Sequence, residues 1–181
     1  PGFPTNCEPT HGWAVSKTYK QAQEVTVKKL KWALGRTLVR FDEVKMIMYL
    51  WNGSTIGIKS EDSGFEVFQG ADLDYCWKDE IGAMAIHEEC RARLVDRNGK
   101  MMVSYTPTKG KDWSFGAYYR PWKDGTGGEP KEHDGVLFVR MDTADNKYLP
   151  VSAVKDLSAR CYSEEDRQIR LHGHYVDAAG L

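Results

Sequence analysis

The sequence LDYCWKDEIG, from Leu73 to Gly82, holds an apolar run that ends in two adjacent carboxylates, Asp79 and Glu80. An apolar run of this length is typical of a strand that leaves a hydrophobic core. Neighbouring carboxylates repel each other, so they add little stability unless a cation lies nearby. Two interpretations follow: a strand that ends in a solvated turn, or a buried strand that presents one acid to a metal ion and the other to a water molecule.

Strand and helix patterns alternate on both sides of this run, without internal repeats. They predict a strand at 13–16, a helix over 16–35 that Gly35 stops, a hairpin around Asn52-Gly53, a helix over 83–99 and a strand over 100–107. This alternation predicts an α/β fold, with a largely parallel sheet and helices on both faces. Ligands bind at the carboxyl ends of the strands in such sheets.

The rest of the chain gives weaker patterns. Residues 113–135 are aromatic and then rich in Gly and Pro, which predicts an irregular excursion or a long loop, with a flexible part at 125–128. A strand is predicted over 135–143. One or two short helices are predicted over 153–173, and Ser163 is a plausible start for the second.

Polar residues follow two neighbouring strands of the predicted sheet. Asp79 and Glu80 end one strand, and Ser104 and Thr106 end the next, so all four are expected at one edge. A strand-terminal Asp followed by Glu is the Walker B arrangement of nucleotide hydrolases: the Asp holds Mg²⁺ beside the phosphates and the neighbouring carboxylate orients the attacking water. Thr106 could sense the γ-phosphate, or its hydroxyl could tie down the turn before Pro107.

The composition fits a globular protein of one ordinary domain. The chain has 181 residues, a formal net charge of −1 and 28% charged residues, so neither disorder nor a whole-chain affinity for nucleic acid or membrane is indicated. Four widely spaced cysteines without a CxxC pair argue against a zinc site or a disulfide framework, and favour a reducing compartment. The chain begins at Pro1 rather than Met, which suggests a processed or truncated segment. No GxxxxGK[ST] phosphate loop occurs in it.

From Trp13 to the C-terminus the sequence resembles the large terminase subunit of tailed bacteriophages, the motor ATPase that packages DNA. The resemblance is carried by five segments: LWNGSTIGIKS, FEVFQGADLDYCWKDE, EECRARLVDRNGKMMVSYTPTKG, DNKYLP and EEDRQIRLHGHYVDAAGL. It implies a P-loop NTPase-like fold that binds ATP and Mg²⁺. It also implies that Asp79 ligates Mg²⁺, that Glu80 is the catalytic carboxylate, and that Thr106 belongs to the motif coupling hydrolysis to DNA movement. From their place at one edge of the sheet, Asp79, Ser104 and Thr106 are the expected nucleotide contacts.

The resemblance further implies that residues 1–181 are one partial ATPase domain. Residues 13–150 would form its core, and 151–181 a helical segment leading to a nuclease domain, with the phosphate loop upstream of Trp13. The implied partners are double-stranded DNA, the portal protein, the small terminase subunit and other copies in a ring, with no membrane, in the cytoplasm of the infected host. The isolated chain is expected to hydrolyse ATP poorly or not at all.

The chain departs from the family pattern at three positions. Ile81 stands where many members have a third acid, Gln69 where some branches have an arginine finger, and His174 where a carboxylate is frequent. Arg91 and Arg93 are alternative sources of positive charge for the transition state, although ordinary surface salt bridges explain them as well.

Other functions stay open. A helicase-type motor shares the Asp-Glu strand end, and a non-catalytic nucleic-acid-binding or interaction module could keep the scaffold without a phosphate loop. Lys109 and Lys111 could contact a phosphate backbone, and so could a basic cluster around Trp32. His172 and His174 have a spacing that suits zinc, but no clear third ligand follows them, so a zinc site is not expected.

Overall fold

The computed structural model describes residues 8–126, 131–133 and 135–176, with side chains at 8–123 and 135–176. The chain divides into two compact units, Pro1–Tyr105 and Thr106–Leu181. The predicted partition into 13–150 and 151–181, within a single partial ATPase domain, stays a prediction.

The first unit is built on a six-stranded sheet with the order β2-β3-β4-β1-β5-β6. Its strands are β1 (His11–Ser16), β2 (Leu38–Asp42), β3 (Ile47–Leu50), β4 (Thr55–Ser60), β5 (Tyr75–Asp79) and β6 (Lys100–Ser104). The strands β4, β1, β5 and β6 run parallel to one another, while β3 pairs antiparallel with β2 and β4. The predicted α/β class with a mostly parallel sheet is therefore observed.

Alternating side chains of β1 supply both halves of the hydrophobic core. Trp13 and Val15 pack on one face of the sheet with residues of α3 (Met84–Ala92), whereas Ala14 packs on the other face with residues of α2 (Val27–Leu34). Both faces are covered, as expected for a parallel sheet whose central strand is buried along almost its whole length. Because both faces are covered, polar side chains of the sheet can reach solvent mainly at the strand ends.

The first helical segment follows the predicted bounds closely. It comprises α1 (Tyr19–Gln21), a π-helical turn (Ala22–Thr26) and α2, and the Thr18 side chain accepts the Gln21 amide as its N-cap. Gly35 ends the segment with a φ of 50°, a left-handed value that favours glycine. The stop that the sequence predicts is therefore confirmed.

Two further predictions in the first unit have different outcomes. The hairpin at Asn52-Gly53 is confirmed: it joins β3 to β4, and Gly53 has a φ of 84°. The helix predicted over 83–99 is too long, since α3 ends at Ala92 and turns follow. Just before β6 the backbone passes so close to the start of β5 that a Cβ at Gly99 would lie 2.4 Å from the Leu73 carbonyl oxygen, so a glycine fits there best.

The second unit is more helical than predicted. The predicted loop at 113–135 is wrong over most of its length, because a π-helical segment (Phe115–Tyr119) runs into α4 (Arg120–Thr126). Tyr119 and Trp122 are buried there and pack against Phe138, so their aromatic side chains form a core rather than a surface excursion. Of the part predicted to be flexible, 125–128, the first two residues belong to α4, and residues 127 and 128 lie outside the described part of the chain.

The remaining elements of the second unit are short. A hairpin of β7 (Lys131–His133) and β8 (Val136–Phe138) replaces the longer strand predicted over 135–143. Of the one or two short helices predicted over 153–173, two are observed: α5 (Val151–Ala159) and α6 (Glu164–Arg170). Ser163 caps α6 by accepting the Asp166 amide, so the predicted start of this helix is confirmed. Across the described ranges of both units, every helix is too short or too polar to cross a membrane.

Candidate functional site

The ends of β5 and β6 bring Asp79 and Ser104 side by side. The two residues are register partners in the parallel ladder, and the Ser104 hydroxyl lies 3.4 Å from Asp79 Oδ1. The backbone N–H of Glu80 donates to the Ser104 carbonyl oxygen at 2.7 Å. Three of the residues that the sequence singled out therefore meet at one edge of the sheet.

Two residues that the sequence did not indicate complete this edge. The Gln21 side-chain amide donates to Asp79 Oδ2 at 3.4 Å, and the Trp77 indole N–H donates to the Ser104 hydroxyl at 3.1 Å. One contact comes from α1 and the other from within β5, and together they bring a polar group to each member of the Asp79–Ser104 pair. Gln21 lies 58 positions before its partner, so no local spacing could have predicted its contact.

The turn after β5 has an unusual backbone. Glu80 adopts a φ of 83°, and Gly82 follows at 56°. A left-handed conformation is ordinary for glycine but costs a glutamate of order 1 kcal/mol or more, and such residues persist only where their surroundings hold them. At Glu80, immediately after Asp79, the chain therefore turns away from the direction of β5.

A buried ion pair lies behind this turn. Lys78 Nζ is 2.7 Å from Glu61 Oε1, with side-chain exposures of 1% for Lys78 and 10% for Glu61. The same ammonium donates to the Ile81 carbonyl oxygen at 3.2 Å, and Glu61 Oε2 accepts the Ala83 amide at 3.0 Å. Sequence analysis missed this pair, although a lysine inside the apolar run 73–78 was a visible signal that a buried acid must face it.

The positive charge of Lys78 also acts on the buried His87 of α3. Burial, with the positive charges of Lys78 and Arg91 adding to it, lowers the pKa of His87 from 6.5 to about 4. The imidazole is therefore neutral in the folded state over a range in which it would be protonated in the unfolded chain.

Acidification is expected to destabilise the first unit through His87. Because the folded pKa lies below the unfolded value, the unfolded chain binds the extra proton, so the stability present above about pH 6.5 is lost as the pH falls toward about 4. The loss amounts to about 3 kcal/mol. Urea unfolding across this range measures it.

The matched comparison for this prediction is His87→Leu, which removes the titrating group from the same buried position. Carboxylates also titrate here, so the prediction concerns the difference in slope between the two proteins. Equal pH dependence of the unfolding free energy in both would contradict it.

The other predicted site residues belong to the second unit. Thr106 is exposed, and its carbonyl oxygen accepts the Thr108 amide at 2.7 Å across the turn that contains the buried Pro107. Lys109 and Lys111 are exposed, with the Lys111 ammonium 5.1 Å from the centre of the Phe115 ring. Nucleotide sensing by Thr106 and DNA contact by the lysines stay predictions.

The arginines considered as sources of positive charge, and the histidines considered as zinc ligands, all have partners close by. Arg91 pairs with Glu88 as an exposed salt bridge, and Arg93 pairs with Glu89 in a partly buried one, each partner lying three or four positions away. His172 contacts the Asp142 carboxylate, and His174 Nδ1 lies 3.1 Å from the Tyr119 hydroxyl. By sequence, His133 could in principle join these two histidines on zinc, but its side chain lies outside the described residues. Where side chains are described, no cluster of three or more His, Cys, Asp or Glu residues is arranged for a metal ion.

The donor set at the strand ends nevertheless fits Mg²⁺. This ion keeps several waters and takes one or two protein oxygens together with substrate phosphates, so it does not need three clustered ligands. The Asp79 carboxylate and the Ser104 hydroxyl offer such oxygens 3.4 Å apart. Asp79 would ligate the ion, with Ser104 beside it.

The comparisons with known proteins support the fold. No protein-family model and no curated protein matches the sequence. Among solved structures, the large terminase from a thermophilic bacteriophage, determined in complex with ADP, is similar with a TM-score of 0.65 and 15% sequence identity. The match covers 94% of this chain and 42% of that chain, so this chain spans less than half the length of its structural neighbour. The chain therefore shares the fold of the matching part of that large terminase, and the predicted fold class, a mostly parallel sheet with flanking helices, is confirmed.

Proposed function

We propose that the chain provides the Mg²⁺-binding and catalytic carboxylates of a phage DNA-packaging ATPase. The observation that carries the proposal is the meeting of Asp79, Glu80 and Ser104 at the carboxyl edge of parallel strands, in a fold similar to a large terminase that binds ADP. The proposal needs both the structural similarity and the grouping of these residues at the sheet edge, since strands often end in acids and one fold hosts many functions.

Each residue has a distinct role in this proposal. Asp79 holds Mg²⁺, which supplies positive charge to the phosphates, and Ser104 stands beside it as a nucleotide or metal contact. Glu80 orients the attacking water and accepts its proton. Thr106 links the loss of the γ-phosphate to movement of the following segment.

The wider activity belongs to the same proposal. ATP hydrolysis would drive double-stranded DNA into the procapsid, in a ring of copies that works with the portal protein and the small terminase subunit in the infected cell. Because the chain spans 42% of its structural neighbour, the phosphate-binding groups and the nuclease activity are proposed to come from sequence outside residues 1–181.

Paramagnetic broadening tests the metal site in the 181-residue chain itself. Millimolar Mn²⁺ with ADP, standing in for Mg²⁺ and nucleotide, is expected to broaden the amide NMR signals of Asp79, Glu80 and Ser104 selectively. Asp79→Asn should remove this effect because the carboxylate ligand is lost. The exposed Asp72, near the other end of β5, provides the matched control Asp72→Asn.

Two results would contradict this part of the proposal. One is equal broadening in wild type and Asp79→Asn. The other is broadening centred on another acidic cluster, such as 164–166 at the start of α6.

A second candidate, a nucleic-acid-binding module, is favoured by one surface of the first unit. The Trp32 side chain on α2 is 87% exposed, with the exposed Lys28 one helical turn before it and the exposed Arg36 just after α2. Aromatic and basic side chains in this combination suit stacking and phosphate contacts. Salt-sensitive DNA binding that Trp32→Ala weakens, without any Mn²⁺ effect at Asp79, would favour this module over the ATPase.

A further inference from the structure

The turn that carries Glu80 is held from behind by the Glu61–Lys78 ion pair. Lys78 reaches the Ile81 carbonyl oxygen at 3.2 Å, and Glu61 reaches the Ala83 amide at 3.0 Å, while the two side chains hold each other at 2.7 Å. The pair therefore contacts the chain on both sides of Gly82. It links the end of β4 to the exit of β5, since Glu61 directly follows β4.

The glycine at position 82 shows how closely the pair fits this turn. Its φ is 56°, and a Cβ there would lie 2.0 Å from Glu61 Oε1. The carboxylate is thus seated directly against the backbone of the turn. Such contacts stabilise the left-handed backbone at Glu80 and Gly82. A glutamate rarely adopts this conformation without support from its surroundings.

A gain in folding stability does not by itself explain a buried ion pair at this position. Lys78 is fully buried within a strand whose neighbouring buried residue on the same face is Cys76. Apolar residues of similar volume often replace a buried ion pair without loss of stability. What apolar side chains could not supply is the directed contact with the Ile81 carbonyl and the Ala83 amide.

We infer that Glu61 and Lys78 are positioning residues, which fix the backbone of the turn 80–83 and so place Glu80 beside the Asp79–Ser104 pair. The inference rests on the proposed function for the role of Glu80. It concerns positioning only, because neither side chain of the pair is proposed to touch nucleotide or metal.

Hydrogen exchange in the 181-residue chain tests whether the ion pair fixes the backbone of the turn. In Glu61→Met/Lys78→Met, the Glu80 amide is expected to exchange at least about tenfold faster, while the Val15 amide in the core stays within about twofold. The Glu80 amide is the informative probe because its acceptor, the Ser104 carbonyl oxygen, is not altered by the substitutions. The matched control is Glu88→Gln/Arg91→Gln, which neutralises an exposed pair on α3 and should change neither amide.

A second variant keeps both charges and disturbs the same turn. Gly82→Ala forces a Cβ against the Glu61 carboxylate and strains the left-handed backbone, so it should also accelerate exchange at Glu80. Unchanged exchange at Glu80 in both variants would overturn the inference, whatever the function of the site.

Steady-state kinetics test the catalytic part, in the natural gene product that contains residues 1–181. The double methionine variant is expected to lower kcat about tenfold to a hundredfold, with KM for ATP changed less than about threefold, because a displaced base fails mainly in the transition state. A loosened turn with an unchanged kcat, in a protein that Glu80→Gln inactivates, would overturn the positioning role and leave the proposed function standing. Activity that also survives Glu80→Gln would overturn both.

Discussion

Replacing Lys78 alone by methionine is expected to lower the free energy of unfolding by about 3–5 kcal/mol. The substitution keeps most of the side-chain volume but leaves the Glu61 carboxylate, only 10% exposed, without its counter-ion. An uncompensated buried charge is far more costly than the ion pair was favourable. Urea or thermal unfolding of the 181-residue chain measures the loss.

The second substitution supplies the control for this prediction. Glu61→Met in the Lys78→Met background removes the stranded carboxylate, so most of the lost stability should return, and the double-mutant cycle should show strong coupling. The exposed Glu88–Arg91 pair should show a coupling below about 1 kcal/mol in the same experiment. A loss below about 1 kcal/mol in Lys78→Met would mean that water or another group reaches Glu61 and that the pair is not truly buried.

The strand ends could be predicted from the sequence because they depend on local pattern and on a general property of parallel sheets. The apolar runs located β5 and β6, and parallel neighbours must end at the same edge, so Asp79 and Ser104 had to be close. The stop at Gly35 and the hairpin at Gly53 followed from the left-handed backbone that glycine permits.

Contacts between distant segments could not be predicted in this way. Glu61 meets Lys78 across 17 positions of chain, and Gln21 meets Asp79 across 58. Neither pair has a helical or strand spacing, and only the fold decides which acid faces the buried lysine. The left-handed backbone at Glu80 could not be predicted either, because a glutamate has no local preference for that conformation.

The loop predicted over 113–135 failed for a different reason. Gly and Pro residues disfavour a helix by local propensity, and this composition indicated a loop. Burial of Tyr119 and Trp122 against Phe138 and Tyr175 outweighed that preference, since large aromatic side chains bring much apolar area into a small core. Propensity is a weak prior where packing of this size competes with it.

The Glu61–Lys78 pair also bears on the question raised by the adjacent carboxylates at 79 and 80. The cation nearest to them in sequence is Lys78, but its ammonium is 2.7 Å from Glu61, and successive side chains of a strand point to opposite faces. The direct partner of that charge is thus an acid on the far side of the strand. A cation that offsets Asp79 and Glu80 is proposed to arrive with the substrate, as Mg²⁺ bound to nucleotide.

Glu80→Gln is expected to lower kcat for ATP hydrolysis about 10²-fold to 10⁴-fold in the natural gene product that contains this sequence. The amide keeps the size of the side chain but cannot accept the proton of the attacking water. Binding should survive, so KM for ATP is expected to stay within a few-fold of the wild-type value. The free energy of unfolding should change by less than about 0.5 kcal/mol, because the charge is lost from a half-buried position without a change of shape.

Glu88→Gln is the matched control, since it makes the same chemical change at an exposed glutamate on α3 and should leave kcat unchanged. An active Glu80→Gln enzyme would remove Glu80 from the catalytic role, and the left-handed turn that displays it would then need another explanation. Loss of activity together with loss of stability would instead point to a structural role. A selective loss of kcat is therefore the result that separates catalysis by this carboxylate from support of the fold.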